Sequence, residues 1–197
     1  MTYAIQPDDA LVVVDVQHDF LPGGALGVAE GERILAPIDA LAPRFARVYA
    51  TRDWHPPDHS SFAAQGGPWP VHCVANSHGA AFDERLDLGK IDVIVDKGTA
   101  VETDGYSGFA ATSLADDLRA HGVRRVFVCG LATDYCVKAT ALDALDDGFE
   151  AVVIDDASAA VNVDPADEQH ALDELRAAGV SIAHSNELQG AAAHVRR

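Results

Sequence analysis

Arg125-Val-Phe-Val-Cys-Gly-Leu-Ala-Thr-Asp-Tyr-Cys136 decides how the chain is read. Its first five residues are β-branched, aromatic or small and apolar after the arginine; they stop at Gly130, and a helical pattern begins near Asp134 and runs to Gly148. The stretch predicts strand, tight turn, helix. Such a turn puts Cys136 in the first turn of a helix, where unpaired N–H groups and the positive end of the helix dipole favour a thiolate. The other reading of such a residue is a small buried hydrophobe, which Cys129 fits. For Cys136 the neighbours decide.

Working outward, Ala10–Val16 is a near-continuous apolar run of the kind a strand buried on both faces shows. Glu30 to Ala42 follows with helical spacing at Ile34, Leu35, Ile38 and Leu41, interrupted by Pro37, and Val48–Arg52 is a second strand. Asp53–Ala80 has no periodicity but four prolines, two tryptophans and four histidines, and a stretch of that length inside a compact domain is usually functional. Ile91–Asp96 predicts the third strand, and Gly98–Thr112 is a second loop rich in small polar residues. Ser113 is placed to cap a helix carrying Leu114 and Leu118 and closed by Gly122. After the opening strand and its helix come a fifth strand, Glu150–Ile154, a helix started by Asp164-Pro165 and ended by Gly179, and a sixth strand, Val180–Ala183.

Strands alternating with helices predict an α/β fold: an open six-stranded parallel sheet with helices on both faces, joined by right-handed crossovers. In that architecture ligands sit beyond the carboxyl ends of the strands. Asp15, Asp53, Lys97 and Cys136 all follow strand ends and are predicted to open onto the same edge.

With 197 residues, 48% of them hydrophobic, and no apolar run of the ~20 residues a membrane span requires, the chain is predicted to be one soluble globular domain, residues 1–197. The amino end lacks a basic-then-apolar leader pattern and the cysteine count is odd, which together place it in the cytoplasm without a disulfide framework. A formal charge of −17 makes nucleic acid and anionic membrane poor partners. The acids are spread along the chain, as a solvated surface would have them. The oligomeric state, a homo-oligomer included, stays open.

A carboxylate inside the run around Asp15 needs a partner if buried. Together Asp15, Lys97 and Cys136 fit a thiol mechanism: Asp15 accepts the Cys136 proton and returns it to the leaving group, while the Lys97 ammonium stabilises the nearby negative charges. Asp53 and His55, with the distant His72, offer one oxygen and two imidazole nitrogens to Zn²⁺, Mn²⁺ or Fe²⁺. His18, His78, His121, His170, His184 and His194 show no such pattern.

Asp15-Val-Gln-His-Asp-Phe20, Asp53-Trp-His55-Pro, Trp69-Pro-Val-His72-Cys-Val, Lys97-Gly98, Tyr106-Ser-Gly-Phe109 and Gly130-Leu-Ala-Thr-Asp-Tyr-Cys136-Val, in that order, resemble the nicotinamidase (pyrazinamidase) branch of the isochorismatase-like cysteine hydrolases. The resemblance covers about residues 10 to 160, and Cys136 separates the chain from isochorismatases, which lack that nucleophile. It implies hydrolysis of nicotinamide to nicotinate and ammonia through a cysteine thioester, within NAD salvage. Asp15, Lys97 and Cys136 would be the triad, and Asp53, His55 and His72 would hold one divalent metal, Zn²⁺ first, that positions the pyridine nitrogen. Phe20, Trp69 and Tyr106 would wall the ring. The N–H groups of Ala132 and Cys136 would form the oxyanion hole, with a cis peptide between Leu131 and Ala132. The chain departs from some relatives at His59, which is either a displaced fourth ligand or a residue behind the ligands. Two other functions are compatible with the same fold: a metal-independent amidase acting on an N-carbamoyl compound, and a non-catalytic binding protein.

Overall fold

The apolar run before Asp15 forms a strand, Asp9–Val14, buried at all six positions and flanked by a parallel strand on each side. It is the centre of a computed structural model that describes residues 2–190. In chain order these residues form β1 (Tyr3–Ala4), β2 (Asp9–Val14), α1 (Leu35–Leu41), β3 (Arg47–Asp53), β4 (Val93–Lys97), α2 (Leu114–Ala120), β5 (Arg125–Leu131), α3 (Lys138–Asp146), β6 (Glu150–Ala159), α4 (Asp167–Ala178), β7 (Ser181–Ala183) and β8 (Leu188–Gln189).

The predicted open six-stranded parallel sheet is present, in the order β4-β3-β2-β5-β6-β7. From β2 the chain steps outward to β4, returns to β5 on the other side of β2, and steps outward again to β7. The strand order thus reverses between β2 and β5, where a crevice opens beyond the carboxyl ends. Alternate side chains of β2 enter two separate cores. Leu11 and Val13 pack with Ile34 and with Ile38 and Leu41 of α1, while Val12 and Val14 pack with Leu114 and Leu118 of α2, Ala141 of α3 and Leu175 of α4. Helices therefore cover both faces, and each fully buried leucine or isoleucine contributes about 1.5–3 kcal/mol. Among the described residues no helix is long and apolar enough to cross a membrane.

Several boundaries differ from the sequence prediction. Pro37 does not break its helix, because it falls in the first turn of α1, where an N–H has no partner within the helix. Ser113 makes no cap bond; instead Thr112 Oγ1 accepts from Leu114 N–H at 3.2 Å. The helix predicted from Asp164 starts at Asp167, and Asn162 Oδ1 accepts from its Glu168 N–H at 2.9 Å. β6 runs five residues past Ile154, since a register shift opposite Val128 and Gly130 lets it resume pairing at Ser158. The pair β1–β8, two residues each, is too short to leave a periodic signal.

Candidate active site

At the end of β2 the backbone of Asp15 turns left-handed, with φ 52°, and its N–H donates to Thr51 C=O at 3.1 Å. The Thr51 hydroxyl donates to Asp15 Oδ1 at 2.7 Å, leaving Oδ2 for Lys97, whose Nζ stands 2.8 Å away. Lys97 is the last residue of β4 and only 1% exposed. Its ammonium also donates to Asp53 Oδ1 and to Gly105 C=O, and lies 3.6 Å from Cys136 Sγ. All four residues that were predicted to share one sheet edge meet at this ammonium.

The electrostatics follow from burial. Desolvation pushes the Asp15 carboxyl up to about 6, against the pull of Lys97. Burial acts the same way on Asp53, but Lys97 and His55 outweigh it and hold that carboxyl below the usual range. Lys97 is favoured as a cation: burial opposes its charge, but Asp15 and Asp53 raise its pKa well above that of an ordinary lysine. The helix predicted to begin near Asp134 opens one residue earlier as a wide π turn, Thr133–Val137, which carries Cys136 and runs directly into α3. Burial, opposed by Lys97 and reinforced by Asp15 and Asp53, raises the Cys136 pKa well above that of a free thiol. That direction favours a thiol beside a carboxylate over the standing thiolate a helix dipole would give. Near the end of β5, Gly130 is required by its own φ of 119° and by the close approach of β2: a Cβ there would come within 2.1 Å of the Val14 carbonyl oxygen.

The histidines converge through a fold in the long loop that periodicity could not reveal. His55 N–H donates to Cys73 C=O at 3.0 Å and Ala75 N–H to His55 C=O at 2.8 Å, which sets His72 beside His55. His55 Nε2 lies 3.3 Å and His72 Nε2 3.9 Å from Asp53 Oδ2. Each ring is held from behind by a carbonyl, His55 Nδ1 by Gly98 and His72 Nδ1 by Pro70, at 2.9 and 2.8 Å. Those bonds use each Nδ1 as a donor to a carbonyl and turn both Nε2 atoms towards Asp53, the arrangement a metal-ligating histidine requires. Gly98 must be glycine here, as a Cβ would lie 2.4 Å from the His55 ring. The set Asp53, His55 and His72 fits a divalent metal. His59 lies against this cluster: its ring stacks on His55 at 3.9 Å and its Nδ1 bonds Ser61 Oγ at 2.7 Å.

These groups open into a cavity of about 260 Å³ lined by Phe20, Trp69, Tyr106, Ala132 and Cys136, among others. Trp69 Nε1–H donates to the Tyr106 hydroxyl at 2.9 Å, and Tyr135 stacks on Tyr106 at 6.1 Å, so the aromatic wall is braced. The peptide between Leu131 and Ala132 is cis, as the resemblance implied. Four participants escaped sequence reasoning: Gln17 and Thr51, both fully buried, Tyr135, and Val161, which lines the cavity. Gln17 and Tyr135 lie inside quoted motifs, but only burial and bonding reveal what they do. His18 and His78, read as ordinary, stack at 4.0 Å beside Glu84, and His194 lies outside the described residues. A thiol, a buried carboxylate, a buried ammonium and a triad able to hold a metal, around one small aromatic-walled cavity, form a set that can split an acyl–nitrogen bond in a flat, small substrate.

Comparison with known proteins agrees. The Isochorismatase domain model matches residues 9–187. The nicotinamidase of Escherichia coli (strain K12) is 41% identical over 201 residues, covering 89% of this chain and 94% of its own. The crystal structure of PnC1 from L. infantum in complex with nicotinate superposes with a TM-score of 0.92 at 41% identity, over 96% of this chain and 99% of that one. The pyrazinamidase of Pyrococcus horikoshii in complex with zinc gives 0.86 at 48% identity, over 90% and 99%.

Proposed function

The chain belongs to the isochorismatase family, and from that premise we propose that it is a nicotinamidase, hydrolysing nicotinamide to nicotinate and ammonia. The observation that carries the proposal is the Lys97 ammonium, 2.8 Å from Asp15 and 3.6 Å from Cys136, bonded also to Asp53 of the histidine cluster. Nucleophile, base and metal-ligand set thus share one charge centre. The zinc in one relative and the nicotinate in another, both in chains of the same fold, support the substrate and the metal.

Asp53, His55 and His72 would hold one divalent metal, and two nitrogens with one oxygen suit Zn²⁺ ahead of Mn²⁺ or Fe²⁺. When bound, the metal supplies a Lewis-acid anchor for the pyridine nitrogen. The chain's own groups do the rest. Phe20, Trp69 and Tyr106 flank the ring. Cys136 gives its proton to Asp15 as sulfur attacks the carboxamide carbon, and the N–H groups of Ala132 and Cys136 receive the oxyanion. Asp15 passes the proton to the amide nitrogen, the C–N bond breaks, and ammonia leaves a nicotinoyl thioester on Cys136. Water gives a proton to Asp15 and adds to the thioester carbon; collapse breaks the C–S bond, the sulfur takes that proton back, and nicotinate leaves. Throughout, Lys97 balances the negative charge on Asp15. The product would feed NAD salvage, and three free cysteines suit a reducing cytoplasm.

The experiment is ammonia release from nicotinamide by the zinc-loaded wild type with Cys136→Ala beside it. Release by the wild type alone supports reaction, substrate and nucleophile together. Silence from both would move the assignment to another small amide, such as an N-carbamoyl compound.

A further inference from the structure

Gln17 lies two residues past Asp15 and its side chain is wholly buried. It is absent from the mechanism above, yet its amide makes three hydrogen bonds to main chain far away in sequence. Oε1 accepts from Asp53 N–H at 2.8 Å, and Nε2 donates to Asp53 C=O at 2.8 Å and to Ala80 C=O at 2.9 Å. Both Nε2 hydrogens are used. Only a primary amide offers an acceptor and two donors from one end of a side chain that long, so neither glutamate nor methionine can reproduce the pattern.

The bonds join three segments. Gln17 belongs to the turn that carries Asp15; Asp53 ends β3; Ala80 closes the loop that carries His72. With its N–H and C=O held by one rigid group, the Asp53 backbone cannot rotate, and the direction of its side chain is set. That carboxylate must serve Lys97 through Oδ1 and face His55 and His72 through Oδ2 at the same time. A rotation that suits one would misplace the other.

We propose that Gln17 is the positioning residue of the metal site, fixing Asp53 for the ion and coupling ion affinity to the seating of the loop that carries His72. The proposal rests on the metal reading of Asp53, His55 and His72. Groups that orient a metal ligand from behind are typically worth about 10–100-fold in affinity.

The test uses Gln17→Met, which keeps length and packing but has neither donor nor carbonyl, and Gln17→Asn, which keeps the amide one methylene short. Zn²⁺ affinity of the full chain is measured by competition with a chromogenic chelator, and Tm is recorded with and without Zn²⁺. The expected result is Zn²⁺ binding weaker by about 10–100-fold in both variants, with a smaller zinc-induced rise in Tm than in the wild type. A merely structural role would lower Tm equally in both states and leave Zn²⁺ affinity unchanged, and that outcome overturns the proposal. Failure of both variants to fold would also overturn it, by assigning Gln17 to folding. A wild type that takes up no Zn²⁺ would sink the metal reading itself, whereas wild-type uptake matched by both variants would sink this inference alone.

Discussion

The Lys97 ammonium lies 2.8 Å from the Asp15 carboxylate, and neither side chain is exposed to solvent. Two charges taken out of water are tolerable only as partners, and Lys97 answers for Asp53 as well. Lys97→Met would leave two buried carboxylates without their cation. Removing one member of a buried pair typically destabilises by about 3–5 kcal/mol, and urea unfolding should show a loss of that order together with loss of ammonia release. A variant as stable and active as the wild type would exclude Lys97 from the charge balance of the site.

Asp15 can accept the thiol proton only as a carboxylate. Burial pushes it up to about 6, so the base form dominates above that pH and the neutral acid below it. The kcat/KM of the holoenzyme should be level near neutrality and fall about tenfold per pH unit below ~6, because both the raised pKa and the need for the ionised form act in that direction. An ordinary aspartate would place the break near ~4. Asp15→Asn should lower the rate by about 10²–10⁴, with the acid limb removed from whatever activity remains.

The topology was legible because β2, β3, β5 and β6 are apolar runs separated by helical periods and punctuated by Gly122, Gly148 and Gly179. Once strand ends were placed, the parallel architecture alone put Asp15, Asp53, Lys97 and Cys136 at one edge. What could not be read depends on contacts across long separations. The bridge from His55 to Cys73 that completes the ligand cluster has no periodic trace, nor has the Gln17 amide, which bonds backbone 36 and 63 residues away. Local rules also erred where a neighbour intervened: Thr112 displaced Ser113 as cap, and burial, against the pull of Lys97, raises the Cys136 pKa where a helix start taken alone would lower it.

Asp134 ties the turn that carries Cys136 to the far wall of the cavity. Its two carboxylate oxygens accept from Val161 N–H and Asn162 N–H, each at 3.0 Å, and Val161 lines the cavity. Hydrogen bonds to a charged group are worth about 1.5–3 kcal/mol each, so Asp134→Ala should lower stability measurably and release that wall. Loss of substrate fit corresponding to ~1.4 kcal/mol would raise KM about tenfold. Unchanged KM with lowered Tm would confine Asp134 to the scaffold.

Nicotinamide and benzamide have the same shape and the same scissile carboxamide, and they differ in one ring atom. The aromatic wall of Phe20, Trp69 and Tyr106 contacts a flat ring without regard to that atom, so it cannot tell the two apart. The Asp53, His55 and His72 cluster opens into the same cavity, and a metal held there would grip only the ring that has a nitrogen to offer. The zinc-loaded enzyme should therefore prefer nicotinamide by at least ~10-fold in kcat/KM, the equivalent of ~1.4 kcal/mol of anchoring. Dialysis against a chelator should raise the nicotinamide KM and bring the two amides level, because the anchor is lost for one substrate and was never present for the other. Alkylation of Cys136 by iodoacetamide should change less, since its thiol answers to Asp15 and Lys97. A preference for nicotinamide that survives complete metal removal would place ring recognition in the protein's own side chains and leave the metal with a structural role.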